Sequence, residues 1–292
     1  MGKRSFTLIE ILVVIVVIGI LSSFILVGMS SITNNANIAK SKAFSDSLRN
    51  SLLTNLVSEW KLDGNGSDSW GSNTGTNGGS TFQSSGCVSN GCLNFDGTDD
   101  YFVVNDSDSL DIVNNFSIEF WYYKTSNTVS CVTGDNRILL MKANDYWDDD
   151  YYGIWVTCGD LDYFRYSTRK ADVDSLGSYN ANLGLNNWNH IVFTKNNTIG
   201  FFYINGIKVS QATVYAELNI TAENLYAMGN SAASRTTPGM LDEIRIYNEA
   251  VSSFRIQQNY YIGINKLYKN NGIILSELNQ KLSELKNNLI QK

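Results

Sequence analysis

Histidine and cysteine are scarce in this sequence of 292 residues, which has one histidine and four cysteines. No two cysteines are separated by only two residues, and the single histidine, His190, is distant from all of them. Structural zinc sites use closely spaced cysteine and histidine ligands, so the spacing argues against such a site. The sequence marks no catalytic partner for His190, and we expect a packed structural residue there.

Basic residues are also scarce in the middle of the chain. Residues 57–262 contain twelve Lys and Arg against twenty-four Asp and Glu, a net charge of −12, whereas each flanking segment has a net charge of +3. Phosphate binding needs a basic surface, so we expect no nucleic-acid partner for this region. The same region holds all six tryptophans and all four cysteines, and about two hundred residues can bury a sizeable single core.

Charge is absent from a long apolar run near the N-terminus. Eighteen uncharged residues, 11–28, are enough for a membrane-spanning helix, and Lys3 and Arg4 place its N-terminal side in the cytoplasm. The run is longer than the apolar core of a secretory signal peptide. Glu10 stands at its start, and a carboxylate there is costly in lipid, which indicates a functional role.

The residues Phe6-Thr7-Leu8-Ile9-Glu10 resemble the prepilin signature of type IV pilins and pseudopilins. The resemblance implies that a prepilin peptidase cuts between Ser5 and Phe6 and that the new amine of Phe6 is methylated. Glu10 would then draw the subunit into a growing filament. The sequence departs from the family at Ser5, where glycine is usual, and at Val27, where the helix proline is usual.

The same resemblance implies a location and a set of partners. We expect a single-pass membrane protein with a cytoplasmic N-terminus before assembly, and an extracellular filament of identical subunits afterwards. The pilus assembly machinery would be a partner. Residues 1–5 are the predicted leader. We predict one helix over 6–56, because apolar residues in its second half recur at helical spacing: Ile38, Phe44, Leu48, Leu52, Leu53 and Leu56.

The pattern of residues 57–262 predicts strands and turns. Short runs rich in aromatic and β-branched residues, such as Tyr101–Val104, Phe116–Tyr123 and Leu241–Tyr247, are bounded by glycine, asparagine, aspartate and serine. Asn205-Gly206 between two such runs is typical of a type I′ hairpin turn. The pattern indicates an all-β sandwich.

Four motifs in order resemble a laminin-G-like domain of the concanavalin A-like jelly-roll fold: Cys92–Tyr101, Phe116–Trp121, Trp188–Gly206 and Leu241–Tyr247. The predicted fold class is therefore α+β, with a long pilin-type helix, a jelly-roll sandwich over 57–262 and a helical tail over 263–292. The family binds glycans, proteins or surfaces. Glucan hydrolases of this fold use two carboxylates, usually in an E-x-D-x-x-E strand motif. That motif is absent, so we expect no enzyme.

Structural Ca²⁺ is implied by the second resemblance, with Asp63, Asp68 and Asp242 as candidate ligands. Carboxylate oxygens suit this hard cation. The alternative is that Asp63 and Asp68 serve as turn residues and that Asp242 makes local hydrogen bonds.

A ligand loop is suggested by the concentration of aromatic and acidic residues around Tyr146, Trp147 and Asp149. Aromatic faces stack on sugar rings and carboxylates bind hydroxyl groups, so this segment could hold a glycan or a surface protein. The alternative is a solvated acidic loop.

Two disulfides are expected in an extracellular domain with an even number of cysteines. The short step from Cys87 to Cys92 suits a small closed loop, and Cys131 and Cys158 would form the second bridge. Four cysteines allow three connectivities, and the sequence alone does not choose among them.

The C-terminal tail carries leucines at steps of three and four residues: Leu275, Leu278, Leu282, Leu285 and Leu289. This spacing predicts an amphipathic helix. The helix either docks on an acidic surface, its own or a neighbouring subunit's, or simply covers the sandwich.

These observations together predict a type IV pilin-like structural subunit that polymerises through its N-terminal helix and displays a laminin-G-like head. Two alternatives remain open. One is a minor pilin that acts as a glycan- or protein-binding adhesin. The other is a pseudopilin of a secretion or DNA-uptake system.

Overall fold

The computed structural model describes residues 55–127, 136–144, 151–158, 160–170, 173–232 and 235–290. The chain divides after Thr54 into two units, and the described residues belong to the second. Several predicted site residues lie outside the described ranges: Ser5, Phe6, Glu10, Cys131, Tyr146, Trp147 and Asp149. Within the described ranges, no helix combines the length and the apolar character needed to cross a membrane.

Fifteen described strands form two antiparallel sheets. Their bounds are β1 Leu56–Trp60, β2 Gly75–Gly78, β3 Thr81–Gln83, β4 Cys92–Phe95, β5 Tyr101–Val104, β6 Phe116–Tyr123, β7 Asn136–Lys142, β8 Tyr151–Thr157, β9 Asp160–Lys170, β10 Val173–Asn180, β11 Trp188–Asn196, β12 Ile199–Ile204, β13 Ile207–Thr213, β14 Leu225–Ala227 and β15 Gly239–Tyr247. The first sheet has the order β13-β12-β11-β6-β15-β4-β3, with β1 paired to β15. The second has the order β10-β9-β8-β7-β14-β5-β2. The predicted jelly-roll sandwich is confirmed.

The core lies between the two sheets and follows the alternation of strand side chains. On β6, Phe116, Ile118 and Phe120 point into it and are fully buried. Aromatic rings join the sheets across this layer, because Tyr166 of β9 stacks on Phe202 of β12 with centroids 5.0 Å apart. Offset aromatic pairs of this kind stabilise a core beyond the area that they bury.

The hairpin predicted at Asn205-Gly206 is present and joins β12 to β13. Both residues have positive φ, 52° and 79°, as a type I′ turn requires.

Two helices follow the last strand, and they correct the predicted domain boundary. Helix α1 spans Ser253–Lys269 and α2 spans Leu275–Ile290. The predicted boundary between residues 262 and 263 therefore falls inside α1. Ser252 begins α1, since its side chain accepts a hydrogen bond from the Arg255 amide, as an N-cap does. The other predicted boundary also shifts, because Leu56 is the first residue of β1 and does not belong to a helix.

Both helices cover the outer face of the first sheet. A second apolar cluster lies beneath them, in which Trp121 of β6 and Trp188 of β11 meet Tyr260 and Ile264 of α1. Leu278 and Leu285 of α2 are buried in the same cluster, whereas Leu275 is 55% exposed. Of the two alternatives for the tail, the structure therefore supports the helix that covers its own sandwich.

Candidate functional site

A buried charged network ties α1 to the first sheet. Glu119 of β6 is fully buried, and its carboxylate lies 2.9 Å from Nε2 of His190 and accepts a 2.9 Å hydrogen bond from Nδ2 of Asn259 on α1. Tyr247 and Arg245 of β15 also donate to it, at 3.2 and 3.4 Å. His190 is thus a packed structural residue at the centre of this network, as the sequence predicted.

Arg245 stands among three glutamates. Its guanidinium donates to Glu59 at 2.8 Å, to Glu119 and to Glu243, and Glu243 in turn binds Lys266 of α1 at 2.7 Å. Burial alone would raise the pKa of Glu243, but the charges of Arg245 and Lys266 outweigh it and lower that pKa to about 2. The network is therefore ionised, and it fixes the helix position rather than offering a reactive acid.

The disulfide Cys87–Cys92 closes the short loop predicted from the sequence. Asn270, just after α1, donates to the carbonyls of Val88 and Ser89 within this loop. Cys158 is also disulfide-bonded. Its predicted partner, Cys131, lies outside the described residues.

Asp63 and Asp242 meet at the disulfide loop. Ser89 donates its amide to Asp242 at 2.9 Å, and Asn90 donates its side-chain amide to Asp63 at 3.2 Å. Each aspartate keeps one oxygen, Oδ1, that is buried and has no hydrogen-bond partner. Burial, with the neighbouring charges of Glu243 and Asp63, raises the pKa of Asp242 well above its usual range.

The backbone is strained on both sides of this pair. Leu62, just before Asp63, has φ 55°, and Glu243, just after Asp242, has φ 51°. Glu243 lies where the pairing of β15 with β6 shifts register, between Asp242 and Arg245. A bulge of this kind re-aims side chains, and such strain is concentrated at functional sites. Two unpaired buried carboxylate oxygens fit a hard cation such as Ca²⁺.

Asp68 does not join this pair, and it acts as a turn residue. Its Oδ1 accepts from the amides of Glu59, Trp70 and Gly71, and its Oδ2 accepts from the amide of Asn73, all at 2.9–3.0 Å. Four backbone donors occupy both oxygens, so the turn role left open by the sequence describes Asp68.

A further acidic cluster, Asp96, Asp99 and Asp100, has carboxylate oxygens within 4.8 Å of one another. Asp96 and Asp99 are exposed, and Asp100 accepts the amide of Asp96 at 2.8 Å. These hydrogen bonds shape the loop before β5, and we assign it no ligand.

The outer face of the second sheet carries a patch that sequence reasoning missed. Trp155 and Tyr151 of β8 meet edge to face, with centroids 5.5 Å apart, beside Ile138 and Met141 of β7. Arg165 of β9 lies directly opposite Trp155. The alternating aromatic residues of β8 could have indicated this patch from the sequence. The position of Arg165 beside them depends on the register of β8 with β9, which the sequence does not show.

Two family models match the sequence. Residues 96–257, more than half of the chain, match the concanavalin A-like lectin/glucanases superfamily, and residues 1–26 match the prokaryotic N-terminal methylation motif. No curated protein matches the sequence.

Solved structures with a similar fold include domain 4 of an extracellular arabinanase from Geobacillus stearothermophilus, in complex with arabinotriose. It has a TM-score of 0.53 at 16% identity, over 70% of this chain and 97% of that one. Another is the ligand-binding domain of botulinum neurotoxin serotype D in complex with N-acetylneuraminic acid, with a TM-score of 0.58 at 13% identity over 73% of this chain. A third is the binding domain of Paraclostridial Mosquitocidal Protein 1, with a TM-score of 0.58 at 16% identity over 73% of this chain.

The chain spans about half the length of each of these two toxin domains, 52% and 53%. Identities this low establish the fold alone. The family model matches the sequence itself, from Asp96 to the start of α1. The chain belongs to the concanavalin A-like lectin/glucanases superfamily, and it carries a prokaryotic N-terminal methylation motif of the prepilin type.

Proposed function

We propose that this protein is a type IV pilin-like subunit that displays a lectin-type head on an extracellular filament. The observation that carries the proposal is the order of its parts. A prepilin methylation motif at residues 1–26 precedes a jelly-roll sandwich whose first described strand starts at Leu56. A pilin needs this arrangement, because the N-terminal segment enters the filament and the folded head stays outside.

Processing would occur between Ser5 and Phe6 and leave a methylated Phe6 amine. Glu10 would then pair with the Phe6 amine of a neighbouring subunit, since a carboxylate in an apolar filament core needs a cationic partner. Mass spectrometry of the mature N-terminus tests the first step. A methylated Phe6 supports the proposal, and an intact leader in the membrane fraction contradicts it.

Filament assembly is tested separately with Glu10→Ala. We expect normal membrane insertion and a loss of sheared filaments, because the apolar run is unchanged while the ion pair is gone. Ser23→Ala, in the same run, is the matched control and should assemble normally. Normal filament yield from Glu10→Ala would contradict the role of Glu10.

We also propose that the head recognises a carbohydrate, as a minor pilin adhesin would. Support comes from the lectin-like family and from the two similar solved structures that are complexes with a sugar. On this proposal the head binds glycans without hydrolysing them. A glycan array probed with the full-length chain in detergent tests it, with the heat-denatured chain as control. Binding to no glycan above that control would refute carbohydrate recognition.

We propose that Asp63 and Asp242 hold a structural Ca²⁺. The cation would neutralise the buried Asp242 and the partly buried Asp63, and so tie the segment that follows β1 to β15. Thermal denaturation with Ca²⁺ and with EDTA tests this. We expect a higher Tm with Ca²⁺ for the natural chain and no difference for Asp242→Asn. An equal Tm in both buffers for the natural chain would contradict the site.

A further inference from the structure

The patch on the outer face of the second sheet holds four buried polar atoms without a hydrogen-bond partner. They are Oδ1 of Asn136, Nε1 of Trp155, Oγ1 of Thr157 and Nε of Arg165. Asn136 is only 5% exposed and Trp155 only 3%. We name these four residues the Trp155 patch.

The strand register gathers the four side chains in one place. Asn136 of β7 is paired with Thr157 of β8, and Trp155 of β8 is paired with Arg165 of β9. Paired side chains lie about 5 Å apart, and Trp155 and Thr157 point to the same face because they are two residues apart. The polar atoms therefore converge on one area of the sheet.

Unpartnered buried polar groups are costly. Native proteins therefore leave few of them. Four unpartnered polar atoms in one patch indicate a binding site for a polar ligand. The four atoms are themselves buried, but other parts of the Thr157 and Arg165 side chains are exposed, so a ligand would approach the patch from their end.

We infer that the Trp155 patch is a carbohydrate subsite and that it takes a sugar bearing a carboxylate. This inference rests on the proposed carbohydrate recognition by the head. The indole and guanidinium N–H groups donate to sugar oxygens, and the Asn136 oxygen accepts from a sugar hydroxyl.

Arg165 is the reason for expecting a carboxylate on the sugar. A guanidinium stays charged at every physiological pH and matches the geometry of a carboxylate with two N–H donors. The surrounding region has a net charge of −12, so an anionic sugar is repelled by most of the head surface and favoured only where a cation is presented.

Isothermal titration of the full-length chain in a zwitterionic detergent tests the inference. Glucuronic acid and glucose form the matched ligand pair, because they differ only in the carboxylate. We expect glucuronic acid to bind at least tenfold more tightly than glucose. Arg165→Gln should remove that preference, and Trp155→Phe, which loses only the N–H donor and part of the ring, should weaken both sugars by about fivefold.

Two further variants separate binding from folding. Thr157→Val keeps the side-chain shape and should weaken binding while leaving the Tm nearly unchanged. Lys208→Gln, which removes a cation from β13 of the other sheet, should bind as the natural chain does.

The outcomes distinguish this inference from the proposal on which it rests. If the array shows glycan binding that Arg165→Gln and Trp155→Phe leave intact, the subsite lies elsewhere and only the present inference is overturned. Equal affinity for glucuronic acid and glucose also overturns it. If no glycan binds, carbohydrate recognition itself fails, and the present inference fails with it.

Discussion

Replacing Glu119 by glutamine tests whether a buried anion holds α1 on the sandwich. The substitution keeps the size and shape of the side chain but removes its charge. Glu119 is fully buried. Its carboxylate is hydrogen-bonded to four side chains, which are His190 of β11, Arg245 and Tyr247 of β15, and Asn259 of α1. Glutamine would leave Arg245 with less compensation, and a buried ion pair that loses one partner is strongly destabilised.

The size of the effect follows from the pKa of Glu119. Burial opposes ionisation, but the hydrogen bond and charge of His190, with Arg245 and Asn259, lower the pKa from 4.5 to about 2. The difference, 4.5 − 2 = 2.5, corresponds to about 3 kcal/mol of stability at pH 7. Because the folded pKa is depressed, this contribution is complete above about pH 4.5 and is lost as the pH falls through about 2.

Urea denaturation of residues 55–292 at two pH values measures this. We expect Glu119→Gln to lose about 3 kcal/mol at pH 7 and about 1 kcal/mol at pH 3. Glu217→Gln, at an exposed glutamate, is the control and should change stability by less than about 0.5 kcal/mol. A loss at pH 7 below about 1 kcal/mol, or a loss of equal size at both pH values, would refute the reasoning.

Three other predictions concern stability. Asp242→Asn should raise the Tm measured in EDTA, because it removes a carboxyl group whose ionisation is opposed by burial and by the charges of Glu243 and Asp63; a lower Tm would contradict this reasoning. Replacing Cys87 and Cys92 by serine should cost about 2 kcal/mol in urea denaturation, the value for so short a loop, and no loss would contradict it. Gly263→Ala should lower the free energy of unfolding by about 1–3 kcal/mol, and with it the Tm, because its Cβ would overlap the Trp121 ring; the better helix propensity of alanine is smaller than this loss. An unchanged Tm for that variant would mean that α1 is free to shift.

Local patterns were enough to predict most of the jelly roll. Predicted strands such as Tyr101–Val104 and Phe116–Tyr123 have the same bounds in the structure, because alternation and flanking turn residues act over a few neighbours. The start of α1 was missed, because the sandwich was predicted to extend to residue 262. Ile256, Tyr260 and Ile264 are four residues apart and form the buried face of this helix.

Contacts between distant strands could not be predicted. Glu119 and His190 are 71 residues apart, and only the pairing of β6 with β11 brings them together. The Trp155 patch depends on the register of three strands in the same way. Asp63 and Asp242 could be named through a family resemblance, but their unpaired oxygens are a property of the folded loop.

The first and last strands of the sandwich are neighbours, and this has a consequence for engineering. β1 and β15 run antiparallel, and the carbonyl of Asn55 accepts the amide of Asn248 at 2.9 Å. The chain thus enters and leaves the jelly roll at one point, as domains that tolerate insertion do. The strands are thus enclosed between Asn55 and Asn248, and a domain exchanged for them would need adjacent ends and also an apolar face on which α1 and α2 could pack.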